Sequence, residues 1–285
     1  MTGATVPTAV PRRFAALLAI GLIAATSPAA AHGPLFSASP HTPFKGAVEI
    51  ELVYNREKAS GAGKSESERE VALEIEYGIT ADWEVGVELP HVRKDEDGRG
   101  KAGIGDVVLG TKYRFLRHDS PGAQTTAGLL FKVKLPSGDD DSDPRLGTGS
   151  TDFTGGLTGG YESRRWYAFA DAIYRLNTEG GGGLEKGDRQ FLDLVGGVRP
   201  VLAGYLEPDT VLFLELNWEN ANRDRRNGAV VADTGGWEMF VSPGIFWTYR
   251  QHAVRAGVQI PVARNLNGAQ AGTDYRFTLQ FEYHF

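Results

Sequence analysis

From residue 44 onward, apolar and polar residues alternate with a period of two, the signature of strands with two unlike faces. In "VEIELVY" (48–54), Val48, Ile50, Leu52 and Tyr54 share one face while Glu49 and Glu51 share the other. "EVALEIEYG" (70–78) sets Val71, Leu73, Ile75 and Tyr77 against Glu74 and Glu76, and "WEVGVEL" (83–89) sets Trp83, Val85, Val87 and Leu89 against Glu84 and Glu88. The same reading covers 105–115, 127–135, 151–161, 165–176, 190–200, 210–218, 237–249, 252–262 and 275–285. The pattern therefore predicts twelve strands, each about the 9 to 11 residues that a tilted strand needs to cross a bilayer. An even number is what bacterial outer-membrane barrels use.

The links between segments decide which β fold this is. After the even-numbered segments they are mostly short, as in "ITAD", "LRHDSPG", "ESR" and "RQ", with "VLAGYLEPD" somewhat longer. After the odd-numbered ones they are long, polar and glycine-rich: 55–68, 92–103, 136–149, 177–189, 219–236 and 263–273. A soluble β-sandwich also alternates, but it has no reason to sort loop length by parity or to keep an apolar face on every strand. The pattern predicts an all-β fold: a transmembrane, antiparallel, up-and-down β-barrel of about 12 strands, with short periplasmic turns and long extracellular loops.

The opening of the chain agrees with that compartment. Arg12 and Arg13 precede an apolar run from Phe14 to about Ala25, and small residues end at Ala29-Ala30-Ala31. This reads as a signal peptide, 1–31, with the apolar run too short to span a membrane. The expected organisation is then a periplasmic extension, 32–43, that either tucks into the lumen or trails beneath it, and a barrel, 44–285. A mean hydropathy of -0.28 does not oppose this, because alternating strands average near neutral while still offering lipid an apolar face. The absence of cysteine fits a large closed sheet that needs no disulfide staples. A net charge of -6 argues against nucleic acid as a partner.

Three stretches, "GIGDVVLGTKYRF" (103–115), "KLPSGD" (134–139) and "LGTGSTDFTGGLTGG" (146–160), together with the terminal Phe285, resemble the outer-membrane transporter family named for the MetA pathway of phenol degradation. The resemblance covers most of the chain from about residue 47. It implies an outer-membrane location and a link to aromatic-compound degradation, and it implies no catalytic residue or cofactor. Phe285 also resembles the terminal aromatic by which the barrel-assembly machinery recognises its clients.

If apolar side chains face lipid, the opposite parity lines the lumen. That places Glu49, Glu51, Glu74, Glu76, Glu84 and Glu88 on an acidic wall, bordered by Lys112, Arg114, Lys132 and Lys134 on one flank and by Arg255 and Arg276 on the other. Such walls either neutralise each other across a filled lumen or select small polar or zwitterionic solutes along a water-filled path. Phe169, Ile173, Phe213 and Phe240 also have inward parity. They form either ordinary packing or, given the aromatic association, a patch for an apolar solute that leaves sideways.

Other chemistry is thinner. His32 would be the new N-terminus, and with His41 it is a weak metal candidate; "GDDDSD" (138–143) lacks the spacing of a calcium loop. "HDS" (118–120) holds the residue types of a hydrolytic triad within one turn, which does not create triad geometry. Gly63-Lys64 and Gly100-Lys101 lack the earlier glycine of a phosphate-binding loop. The expected function is a channel or transporter for small solutes, aromatic ones included. The alternatives are a structural or adhesive barrel acting through its loops, a metal-associated protein, and, last, an outer-membrane hydrolase.

Overall fold

The computed structural model describes residues 33–204 and 207–284. The expected signal peptide, His32 and Phe285 lie outside these described residues. Sixteen strands follow in order: β1 (Val48–Gly61), β2 (Lys64–Thr80), β3 (Trp83–Glu96), β4 (Arg99–Ile104), β5 (Val108–Ser120), β6 (Ala123–Lys134), β7 (Asp152–Ser163), β8 (Trp166–Leu176), β9 (Leu184–Glu185), β10 (Arg189–Val198), β11 (Asp209–Ala221), β12 (Arg225–Arg226), β13 (Ala229–Val230), β14 (Gly236–Tyr249), β15 (His252–Leu266) and β16 (Gly272–His284).

Twelve of them form the barrel. Each pairs antiparallel with its neighbours in chain order, and β1 pairs with β16 from Glu49↔His284 to Ser60↔Gly272, which closes the ring. Closure follows from the solvent: lipid offers no partner for an unpaired backbone amide, so a sheet edge cannot stand in the bilayer. The apolar rows point outward, and Leu52, Leu89, Leu129, Leu157, Leu194 and Leu214 are all exposed on the barrel surface. At the short-turn end Tyr77, Trp83, Trp166 and Trp247 are exposed near strand ends, where an aromatic girdle marks the edge of the hydrocarbon. The predicted fold is thus the observed one: a transmembrane barrel.

Two expected loops are instead strand. The stretch 55–68 continues β1 and β2 to a tight turn at Ala62 and Gly63, both with positive φ, and 92–103 forms the β3–β4 hairpin. Beyond the apolar belt these strands meet water on their outer face, so no hydrophobic alternation betrays them. β3 meets β5 only over 83–88 with 108–113, while its upper half pairs with β4. Among the described strands β4 has β3 as its only neighbour. The small β9–β12–β13 sheet is built from the long loops.

Candidate functional site: a strap through the lumen

Residues 33–43 run as an irregular strap across the inside of the barrel, held by side chains that the strands present inward. Mid-barrel, Glu215 on β11 accepts from Leu35 N at 2.7 Å, from Phe36 N at 3.2 Å and from Ser37 Oγ at 2.6 Å. On β8, Asp171 accepts from Ala38 N at 2.6 Å, and Thr158 on β7 donates to Ala38 O at 3.0 Å. Lys112 Nζ donates to His41 O at 2.8 Å, and Thr42 Oγ1 donates to the carbonyl of Ala81 in the β2–β3 turn at 2.9 Å. A chain without secondary structure needs partners for its backbone groups wherever it is buried, and here the wall supplies them.

The strap also contributes apolar contacts. Leu35 joins Tyr167, Phe169, Val195, Val211, Phe213, Phe246 and Ala253 in the one apolar cluster formed by the buried described residues, with Phe36 packed against it. The rings of Phe169 and Phe213 lie 6.3 Å apart. Leu35 approaches the wall at Gly244 and Gly257, where an added Cβ would come within 2.6 Å and 3.0 Å of its methyl carbons. Glycine on β14 and β15 therefore makes room for the strap. Of the four aromatic or aliphatic positions expected as a patch, Phe169 and Phe213 come together beneath Leu35; Phe240 sits instead under Arg276, 4.9 Å from its guanidinium, and Ile173 stays outside the cluster.

Five of the six basic residues expected along the lumen are engaged in ion pairs, mostly with carboxylates outside the expected set. Arg255 pairs with Glu282 and lies 3.8 Å from Glu51. Arg276 pairs with Glu219, and with Glu57 at 2.9 Å. Lys112 reaches Glu84 at 2.8 Å, Arg114 reaches Asp82 at 2.9 Å, and Lys134 reaches Asp106 and Asp152 at 2.9 and 2.8 Å. Glu51, Glu74 and Glu88 stand in register across β1, β2 and β3, and Glu49 is opposite Glu76. Glu74, Glu76, Glu84 and Glu88 line, with Lys112, Lys132 and the strap residues Ala38 and Ser39, a cavity of about 160 Å³. A second space of about 250 Å³ is bordered by Phe36 of the strap and by Asn55, Glu57, Glu70 and Arg276.

The residues that matter most for the strap were missed in the sequence: Asp171, Asp193, Glu215 and Asn217. Each has inward parity at the centre of β8, β10 or β11, which is the signal that marks them. Asp193 lies opposite both Asp171 and Asn217, and Asn217 Nδ2 donates to it at 3.0 Å. His41 is in the lumen with Nε2 2.5 Å from Glu162 Oε1; among the described residues no group of three or more metal-ligating side chains converges. The carboxylate of Asp119 binds Arg117 and Gln124, rather than His118. Asp139 and Asp143 of the acidic loop face Lys101 and Arg99.

Comparison with known proteins adds three findings. The family model described as "Putative MetA-pathway of phenol degradation" matches residues 72–200, from β2 to the turn after β10, so the chain resembles the family that its motifs suggested. No curated protein matches the sequence. Among solved structures, an outer membrane channel from Pseudomonas putida F1 superposes with a TM-score of 0.68 at 16% identity, over 88% of this chain and 100% of that one. The beta domain of the Bordetella autotransporter BrkA superposes with a TM-score of 0.51 at 15% identity, over 85% and 100%. At such identities the likeness is one of fold, that of a bacterial outer-membrane barrel.

Proposed function

We propose that this chain is an outer-membrane channel for small organic molecules, without catalysis, and that the strap 33–43 is its internal stopper. The observation that carries the reading is the double use of the strap: its backbone takes the carboxylates Glu215 and Asp171, while its Leu35 fills the Phe169–Phe213 cluster. Withdrawing it leaves a passage with acceptors on one part of the wall and an apolar, aromatic face on another. A solute with a polar group and an aromatic or aliphatic body matches both, and the resemblance to a phenol-degradation family supports the aromatic class. The paired charges of the lumen then serve to hold the wall in shape, since unpaired charges in a confined space are costly. The acidic cavity beside Lys112 and Lys132 remains as the polar stretch of the path. We also assign the export signal to residues 1–31 and recognition by the assembly machinery to Phe285.

Planar-bilayer conductance tests the stopper directly. The full chain is expected to pass little current, and deletion of residues 33–42 to raise it several-fold; equal conductance would remove the strap as a gate. Uptake of a labelled aromatic acid by cells with and without the gene tests the cargo, and equal rates would exclude that class.

A further inference from the structure

The outer surface of the barrel carries a row of arginines that neither the lumen nor the closure of the sheet requires. Arg56 on β1 is the cross-strand partner of Arg69 on β2, and Arg69 is the partner of Arg93 on β3. All three have outward parity. On each strand they stand at the end of the apolar row, after Ile50-Leu52-Tyr54 on β1, after Ile75-Leu73-Val71 on β2, and on β3 after Val85-Val87-Leu89 with the exposed His91 between. They therefore lie where hydrocarbon ends on the long-loop side, with the exposed Lys58 one outward position further along β1.

Like charges directly opposite each other across a ladder are destabilising, so three in register call for a counter-charge. The protein supplies little of it. Arg93 binds Asp95 at 3.2 Å and still keeps 54% of its side chain exposed. Among the described residues no ion pair reaches Arg56 or Arg69, and Arg56 Nε is buried without a hydrogen-bond partner. Arg56 lies over the ring of Tyr275 at 5.8 Å, which stacks its guanidinium at the membrane edge. Guanidinium groups take phosphate oxygens in paired hydrogen bonds, and basic residues at a bilayer surface gain from anionic headgroups.

We propose that Arg56, Arg69 and Arg93 form a docking site for the phosphorylated headgroup of a lipid in the leaflet on the loop side, the phosphoglycolipid of the bacterial outer leaflet. The acyl chains of that lipid lie along the exposed apolar rows of β1, β2 and β3 beneath the arginines. The site fixes the height of this part of the wall in the membrane, and it acts on the side of the barrel that carries the β3–β4 hairpin.

Native mass spectrometry of the full chain in detergent, titrated with diphosphorylated lipid A, with its dephosphorylated counterpart and with inorganic phosphate, reads the site. The wild type is expected to bind the diphosphorylated lipid about ten-fold or more tightly than the dephosphorylated one, with no retained inorganic phosphate. Arg56→Gln/Arg69→Gln/Arg93→Gln loses that preference, while the control Arg225→Gln/Arg226→Gln, on exposed loop residues, keeps it. Folding of each is checked by heat-modifiable gel mobility; should the triple variant fail to fold, Arg69→Gln alone, at an exposed position, shows a partial loss. An unchanged preference in these variants, equal binding of the two lipids, or binding of inorganic phosphate alone overturns the assignment.

Discussion

Individual side chains in this protein are placed by what surrounds the strand that carries them. Outside lies lipid, and inside lies a narrow space in which an ion without a partner is costly, which is why Arg276 gathers Glu57, Glu219 and Gln259 around it. Beyond the strands the same chemistry holds a loop. Burial alone would raise the Asp106 carboxyl, but hydrogen bonds from Lys134 Nζ, Thr148 N and Gly138 N outweigh it and hold it below its ordinary value. A depressed carboxylate stabilises the folded state above its unfolded pKa of about 3.9 and loses that contribution as pH falls through the folded value. The segment 135–151 is thus expected to stay protected from proteolysis down to about pH 4 and to become cleavable only below it. Asp106→Asn should bring cleavage to neutral pH, as mass spectrometry of the fragments would show; a variant as resistant as the wild type would mean that the loop is held elsewhere.

At the scale of elements, the strap depends on the strands and the strands do not depend on it. Each of the twelve barrel strands has its ladder partners in the ring, whereas residues 33–43 owe their course to Glu215, Asp171, Lys112 and a few glycines. Gly244→Val therefore strikes the strap alone: the new side chain takes the space of Leu35, while valine suits a strand. The expected outcome is a barrel of normal gel mobility whose single-channel conductance moves towards that of the 33–42 deletion. A conductance equal to wild type would show that Leu35 is not the seat of closure.

The whole molecule reverses the usual arrangement, with an apolar exterior and a polar, charged interior, because its solvent changes from water to hydrocarbon around its waist. Leu194, 60% exposed in the middle of β10, measures that solvent. Leu194→Arg should destabilise the barrel by about 2–4 kcal/mol in reversible urea unfolding from lipid vesicles, whereas the same exchange on a barrel standing in water would cost almost nothing. A small effect in vesicles would contradict the placement of β10 in the bilayer.

The sequence alone determined the twelve strands, the direction of their faces, the closing seam and which end carries the long loops, because lipid imposes a period-two row on every strand and a repeated local rule is readable without knowing contacts. It also set a row of charged residues on the parity opposite to the lipid row, and Glu74, Glu76, Glu84, Glu88, Lys112 and Lys132 of that row line one cavity. It left open whether those charges are paired, which the closed fold decides by bringing together strands that are not neighbours, as with Arg276 on β16 and Glu219 on β11. Only the tertiary structure decided that "GPLFSASPHTP" (33–43) fills the lumen. That stretch has no period of its own, and the carboxylates that hold Leu35 and Ala38 come from positions 180 and 133 residues away. The arginine row has the same character: Arg56, Arg69 and Arg93 are unremarkable along the chain, and antiparallel pairing across β1, β2 and β3 is what sets them side by side.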